Sequence, residues 1–173
     1  DLRLRLAAVD ALGKLGAAAA APTLLSILAR GPKTLRSAAA IALISIADPA
    51  TIAPLRRLAR GIGGAHAVAA LAGVVRGRHD DESRAIFTEL ATAHDPAISL
   101  AAIDGLAALN AYPELERLLD SGGDEQQRAA LRAFAEQGAV TQSLAPRLAS
   151  QDDRVASAAA RAIWRRAERN RDV

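Results

Sequence analysis

The sequence predicts an all-α protein built from short helical hairpins laid side by side, and three observations carry that prediction. The first is a pattern, small-small-x-x-small-large. It opens at Ala7-Ala8-Val9-Asp10-Ala11-Leu12 and returns at Ala38, His66, Ala101, Ala129 and Ala158. The large residue closing it is Leu12, Leu43, Leu71, Leu106, Phe134 and Ile163 in turn, with gaps of 31, 28, 35, 28 and 29 residues. A return near 30 residues marks stacked units, each too small to bury its own apolar face. The second is composition: 44 of the 173 residues are alanine, while aromatics make up 2%. Alanine is the strongest helix former and lets helix axes approach closely. The third is punctuation. Gly31-Pro32, Asp48-Pro49 and Asp95-Pro96 fall between the apolar runs, where one helix stops and a capped one starts.

Each repeat follows from its residues. In repeat 1, Leu2, Leu6, Val9 and Leu12 share a face of a helix predicted over 2–15, which Gly16 ends. Pro22 sits in the first turn of the next helix, lined by Leu24, Leu25 and Leu28. Repeat 2 places its first helix at 34–47. Asp48-Pro49 then starts a second helix bearing Ile52, Leu55 and Leu58, and Pro54 must still lie in its first turn. Repeat 3 is irregular. Gly61-Ile62-Gly63-Gly64 precedes a helix at 65–75, and a loop over 76–80 leads to a helix around Ile86 and Leu90. Repeat 4 starts at Asp95-Pro96, runs to 109, and turns through Asn110 to Pro113 into 114–119. Repeat 5 takes 124–137 and 140–148. Repeat 6 has one long helix, 152–169, so the array has about six units with the last incomplete.

Leu4-Arg5-x-Ala7-Ala8-x-x-Ala11-Leu12-Gly13, together with Asp-Pro-Ala-x-Ile-x-Pro-Leu over 48–55, resembles the short bacterial HEAT repeats also seen in phycobilisome lyases. The resemblance spans nearly the whole chain. It implies an α-solenoid of stacked antiparallel helix pairs, a single domain over 1–173, second helices lining an inner surface, and use as a protein-binding scaffold. Repeat 3 departs most, with His66 in the first alanine slot and no arginine before it.

Charge is unevenly spread. The net of +3 divides into +1 over residues 1–29, +7 over 30–78, −9 over 79–127 and +4 over 128–173. In a stacked array, order in sequence becomes order in space, so the surface should be banded. No stretch free of Asp, Glu, Lys and Arg exceeds the 15 residues of 61–75, short of the roughly 20 that span a bilayer. No secretory signal is visible. Cysteine is absent, which removes disulfides and thiolate metal sites. Methionine is absent too, even at position 1, so the expectation is a piece of a longer, cytoplasmic protein.

The expected function is a non-enzymatic protein–protein interaction scaffold, with no catalytic, cofactor or metal residues. The expected contacts are Arg56, Arg57 and Arg60 for a partner with an acidic patch, and Glu114 and Glu116 on the acidic band. A second expectation concerns the positions two before and two after each closing residue, which should face solvent. They hold charge in repeats 1, 4, 5 and 6 but read Ile41/Ser45 and Ala69/Gly73 in repeats 2 and 3. Ile41, Ala69 and Gly73 are therefore candidates for a face covered by a missing domain of the chain or by a partner. Three alternatives stand beside the scaffold: a self-assembling structural spacer, a lyase-type HEAT-like enzyme, and a nucleic-acid-binding solenoid. Against the last, the acidic band breaks the basic stripe, and no aromatic lies within the basic band. Against a membrane surface, the Arg-rich last helix has few large apolar residues. HEAT-like DNA glycosylases work through aromatic and acidic residues in a groove, whereas Trp164 reads as end-cap packing. HEAT-like di-iron hydroxylases use His-Glu pairs. Here there are only His79-Asp80 and His94-Asp95, whose carboxylates are expected to cap helices.

Overall fold

Helix boundaries fall where the sequence places its caps. The computed structural model describes residues 1–137 and 144–169. Among them are ten α-helices and no strand: α1 (Leu2–Lys14), α2 (Ala21–Arg30), α3 (Lys33–Ile46), α4 (Ile52–Arg60), α5 (Gly64–Val74), α6 (Asp81–Leu90), α7 (Pro96–Ala108), α8 (Tyr112–Ser121), α9 (Asp124–Gln137) and α10 (Asp153–Arg169). Asp1 caps α1 by accepting from the Arg3 N–H at 2.8 Å, and Gly16 follows the helix at φ +62°. Asp95 accepts from the N–H groups of Ala97 and Ile98, and Asp152 from that of Arg154. Pro54 finds its place because a 3₁₀ turn, Pro49–Thr51, absorbs the residues after the Asp48 cap. That turn makes Pro54 the third residue of α4, where no N–H is needed. No described helix is long and apolar enough to cross a membrane.

Packing divides the chain into two compact units, Asp1–Leu109 and Asn110–Val173. In the first, the opening helices of successive repeats, α1, α3, α5 and α7, lie side by side in one layer. The second helices, α2, α4 and α6, adjoin one another in another layer. Each second helix folds back chiefly on the first helix of the next repeat: α2 on α3, α4 on α5, α6 on α7. The tight hairpin is thus offset by one helix from the repeat read in sequence, because the loops at 31–32 and 61–63 are too short to do anything but reverse the chain. In the second unit, α8 packs on α9 and α9 on α10, and Tyr112 stacks on Phe134 with ring centroids 5.9 Å apart. Of the helix predicted over 140–148, residues 140–143 lie outside the described residues, and the described remainder holds a 3₁₀ turn, Pro146–Ala149, in place of an α-helix.

The repeated pattern reads directly onto burial. Its second small residue is sealed from solvent at Ala39, Ala67, Ala102, Ala130 and Ala159, each 0% exposed, whereas Ala8 of the first repeat is exposed. The closing residues Leu43, Leu71, Leu106 and Phe134 are buried, while Leu12 and Ile163 are half-buried. The small residues are small because backbones meet there. A Cβ on Gly13 would stand 2.9 Å from the Ala42 Cα across the α1–α3 contact, and one on Gly105 would stand 2.7 Å from the Phe87 ring. Helix α5 lies between α3 and α7 and against α4, with Ala67, Val68, Ala70, Leu71, Ala72 and Val74 all buried. That position explains its freedom from charge, since an unpaired ion there would be costly.

Two expectations need correction. All six positions two before the closing residue are exposed as expected, but two positions after it Ala108 is buried and Gly73 half-buried. Ala108 is enclosed because its carbonyl accepts the Gly77 N–H of the irregular repeat-3 loop at 3.1 Å. Trp164 is not packed as an end cap: it is 61% exposed, one position past a closing residue that is itself only half-buried.

A packing prediction follows. Ala102→Leu and Ala130→Leu should each lower stability in urea by about 1–3 kcal/mol through overpacking. Ala8→Leu, at the exposed equivalent position, should stay within about 0.5 kcal/mol of the parent. Equal effects at all three sites would show that Ala102 and Ala130 are not at helix contacts.

Candidate functional site

The three arginines of α4 share a helix but differ in what surrounds them. The helix carries Leu55 and Ala59 into the core, which turns Arg57 and Arg60 out to solvent and leaves Arg56 half-buried beside α6. Arg56 donates through Nε to the Ser83 Oγ at 3.0 Å and pairs with both Asp80 and Glu82. Ser83 is fully buried and donates from its N–H and its hydroxyl to the Asp80 carboxylate, each at 3.0 Å. Asp80 thereby caps α6 and anchors Arg56 at once. Its side chain is only 8% exposed. Burial alone would raise the Asp80 pKa. The Ser83 hydrogen bonds and the Arg56 guanidinium outweigh that and hold it below its ordinary value.

Arg56 is therefore a clamp between successive second helices, with each of its three side-chain nitrogens engaged. That internal role competes with the partner contact expected of Arg56 from the sequence. Arg57 and Arg60 have no ion pair among the described residues and remain available. Sequence reasoning missed the clamp because its two ends lie in different repeats, 24 positions apart. A signal did exist: Arg128 meets the helix-capping Asp152 at 3.5 Å across the same spacing.

The other candidates are dispersed. Glu114 and Glu116 are half-buried on α8, in the second unit, whereas the α4 arginines belong to the first. Ile41 is 62% exposed and lines a shallow hollow of about 270 Å³ between α1 and α3, with Asp10, Gly13, Lys14, Ala38, Ala42 and Ser45. Ala69 is exposed. Gly73 has an internal reason to be small: a Cβ there would lie 2.5 Å from the Ile44 Cγ1, so it admits α3 against α5. Asp80 and Asp95, each beside a histidine, serve as helix caps. Among the described residues no group of three or more His, Asp or Glu could hold a metal ion.

The Asp80 arrangement sets an acid dependence. A carboxylate whose pKa falls on folding adds stability that is complete above its unfolded value, near 3.8, and is lost as pH falls through the folded value. Asp80→Asn should therefore cost about 1–3 kcal/mol near pH 6, from the weakened clamp and cap. The gap between parent and variant should narrow below about pH 4. A gap independent of pH would contradict this account of the clamp.

No protein-family model and no curated protein matches the sequence. Solved structures do match in fold. The structure titled "Designed armadillo repeat protein YIII(Dq.V1)4CPAF in complex with peptide (KR)4" aligns with a TM-score of 0.60 at 15% identity, over 92% of this chain and 90% of that one. "Designed armadillo repeat protein YIII(Dq)4CqI" aligns with a TM-score of 0.50 at 14% identity, over 95% and 94%. Together with the layered helices and the repeated core positions, these likenesses show that the chain has an all-α repeat-solenoid fold of the HEAT and armadillo kind.

Proposed function

We propose that this chain is a non-enzymatic scaffold that binds an acidic segment of another protein, with Arg57 and Arg60 of α4 as its principal contacts. The observation that carries the reading is the pair of exposed, unpaired guanidinium groups within residues 30–78, a stretch holding eight basic residues and one acidic one, Asp48. Asp48 is engaged as a cap, accepting from the Ala50 N–H, so it does not neutralise them. The peptide-bound neighbour supports a peptide-binding use of this fold. Its peptide, (KR)4, is basic, so its charge preference does not carry over to the α4 surface here. Glu114 and Glu116, on the acidic stretch, are proposed as contacts for basic groups of the same partner.

Ionic contacts of this sort act on approach and selectivity and weaken as salt rises. In fluorescence anisotropy, a Glu/Asp-rich peptide should bind more tightly than a Lys/Arg-rich peptide of equal length. Arg57→Glu with Arg60→Glu should weaken it about tenfold at low salt. Equal binding of the two peptides, or an unaffected double variant, would remove the proposed surface.

Ile41 and Ala69 motivate a second, separate proposal: that a further domain or partner covers the exposed side of α3 and α5. The support is the exposure of Ile41, a large apolar side chain, beside an open hollow. Ile41→Asp should leave this chain's stability within about 0.5 kcal/mol of the parent while abolishing co-purification of the covering element. Retained co-purification would exclude the covered face.

A further inference from the structure

A short motif recurs in the first two second helices. Leu-Ala-Arg-Gly stands at 28–31 and again at 58–61. Each time the arginine is the last residue of its helix, Arg30 of α2 and Arg60 of α4, and the glycine is the residue that stops it. The fold does not demand a cation there, since α6 and α8 end on Leu90 and Ser121. Arg30 is exposed and donates to the Ser26 hydroxyl at 2.9 Å, a neutral partner that leaves its charge uncompensated. Like Arg57 and Arg60, it has no ion pair among the described residues.

Packing sets the two motifs side by side. Gly73, next to last in α5, admits Ile44, third from last in α3, so these two helices end at one edge of their layer and start at the other. The loops at 31–32 and 61–63 that lead into them therefore share an edge, where α2 adjoins α4. Both loops are fixed. The Gly31 N–H donates to the Ile27 carbonyl at 2.7 Å, and the N–H groups of Gly61 and Gly63 both donate to that of Leu58, at 3.2 and 3.0 Å. A Cβ on Gly31 would stand 2.6 Å from the Ile27 oxygen, and one on Gly63 2.4 Å from the Ala67 Cβ. Directly after the helix-stopping glycine each loop presents an apolar residue to solvent: Pro32, and Ile62 at 72% exposed. A side chain held out on a fixed turn loses little freedom on binding. Equivalent points on packed helices lie about 8–10 Å apart, and an extended chain advances about 3.3 Å per residue, so two such rungs match carboxylates three residues apart.

We infer that the acidic segment proposed above binds in extended form across the ends of both α4 and α2. One carboxylate meets Arg60 with Arg57, and another, three residues along, meets Arg30. An aliphatic residue beside each lies on Ile62 and on Pro32. This rests on the acidic-partner reading of α4 and adds to it a second arginine, a spacing and an apolar requirement.

Three labelled peptides of equal length would be compared by fluorescence anisotropy with the full chain: (Glu-Leu-Ser)4, a rearrangement of it with the glutamates adjacent, and (Glu-Ser-Ser)4. The spaced peptide should bind at least about fivefold more tightly than the clustered one, and Arg30→Ala should remove that preference. Ile62→Ser should weaken the spaced peptide about threefold at low and high salt alike while leaving (Glu-Ser-Ser)4 unaffected, because the lost contact is apolar. Equal binding of spaced and clustered peptides, a silent Arg30→Ala or a silent Ile62→Ser would overturn the inference while Arg57 and Arg60 kept their effect. Failure of every glutamate peptide, or indifference to Arg57→Glu with Arg60→Glu, would instead remove the acidic-partner reading and this inference with it.

Discussion

Close approach between the first helices of successive repeats is the constraint on which the rest of this structure depends. The contact is made by backbone and methyl groups, as where Gly13 of α1 meets Ala42 of α3 and Gly73 of α5 admits Ile44. With no room for a larger side chain, one register is selected, because sliding a helix by a turn would set a closing leucine against a neighbour's backbone. Everything outside the contact follows from that register. Positions two before each closing residue must face solvent, the second helices are left to form a separate layer, and α5, hemmed in on several sides, carries no charged residue.

Ion pairs then tie elements of the stack to one another. An arginine on one helix and the capping aspartate of a later one recur 24 positions apart at Arg56–Asp80 and Arg128–Asp152. Each pair joins two elements of the stack and satisfies a helix start in the same stroke. Where repeat 3 breaks the pattern, with Arg60 and Gly63 in place of an acid, basic groups are left without partners. Just before that repeat, Arg57 and Arg60 of α4 stand exposed with no ion pair among the described residues.

The readable part of the sequence was the part set by local chemistry. Asp48, Asp80 and Asp95 are caps because an aspartate before a helix has little else to do, and the closing residues Leu43, Leu71 and Leu106 are core, as their spacing requires. Pro54 was placed correctly by a rule of exclusion. What was not readable came from neighbours distant in sequence. Arg56 looks like Arg57 until α6 brings Asp80 beside it. Gly73 looks like a vacant surface until Ile44 leans over it. The pairing of α2 with α3 rather than α1 depends on loop lengths and tertiary packing that repeat periodicity does not encode.

Native-state hydrogen exchange tests the central claim most directly, because it ranks helices by how deeply the stack holds them. If small-residue contacts between first helices sustain the fold, amides of α5 and α7 should be the slowest in the unit Asp1–Leu109, and those of α1, which buries only Val9 and Gly13, should exchange well before them. Protection of α1 equal to that of α5, or α5 among the fastest helices, would contradict the account.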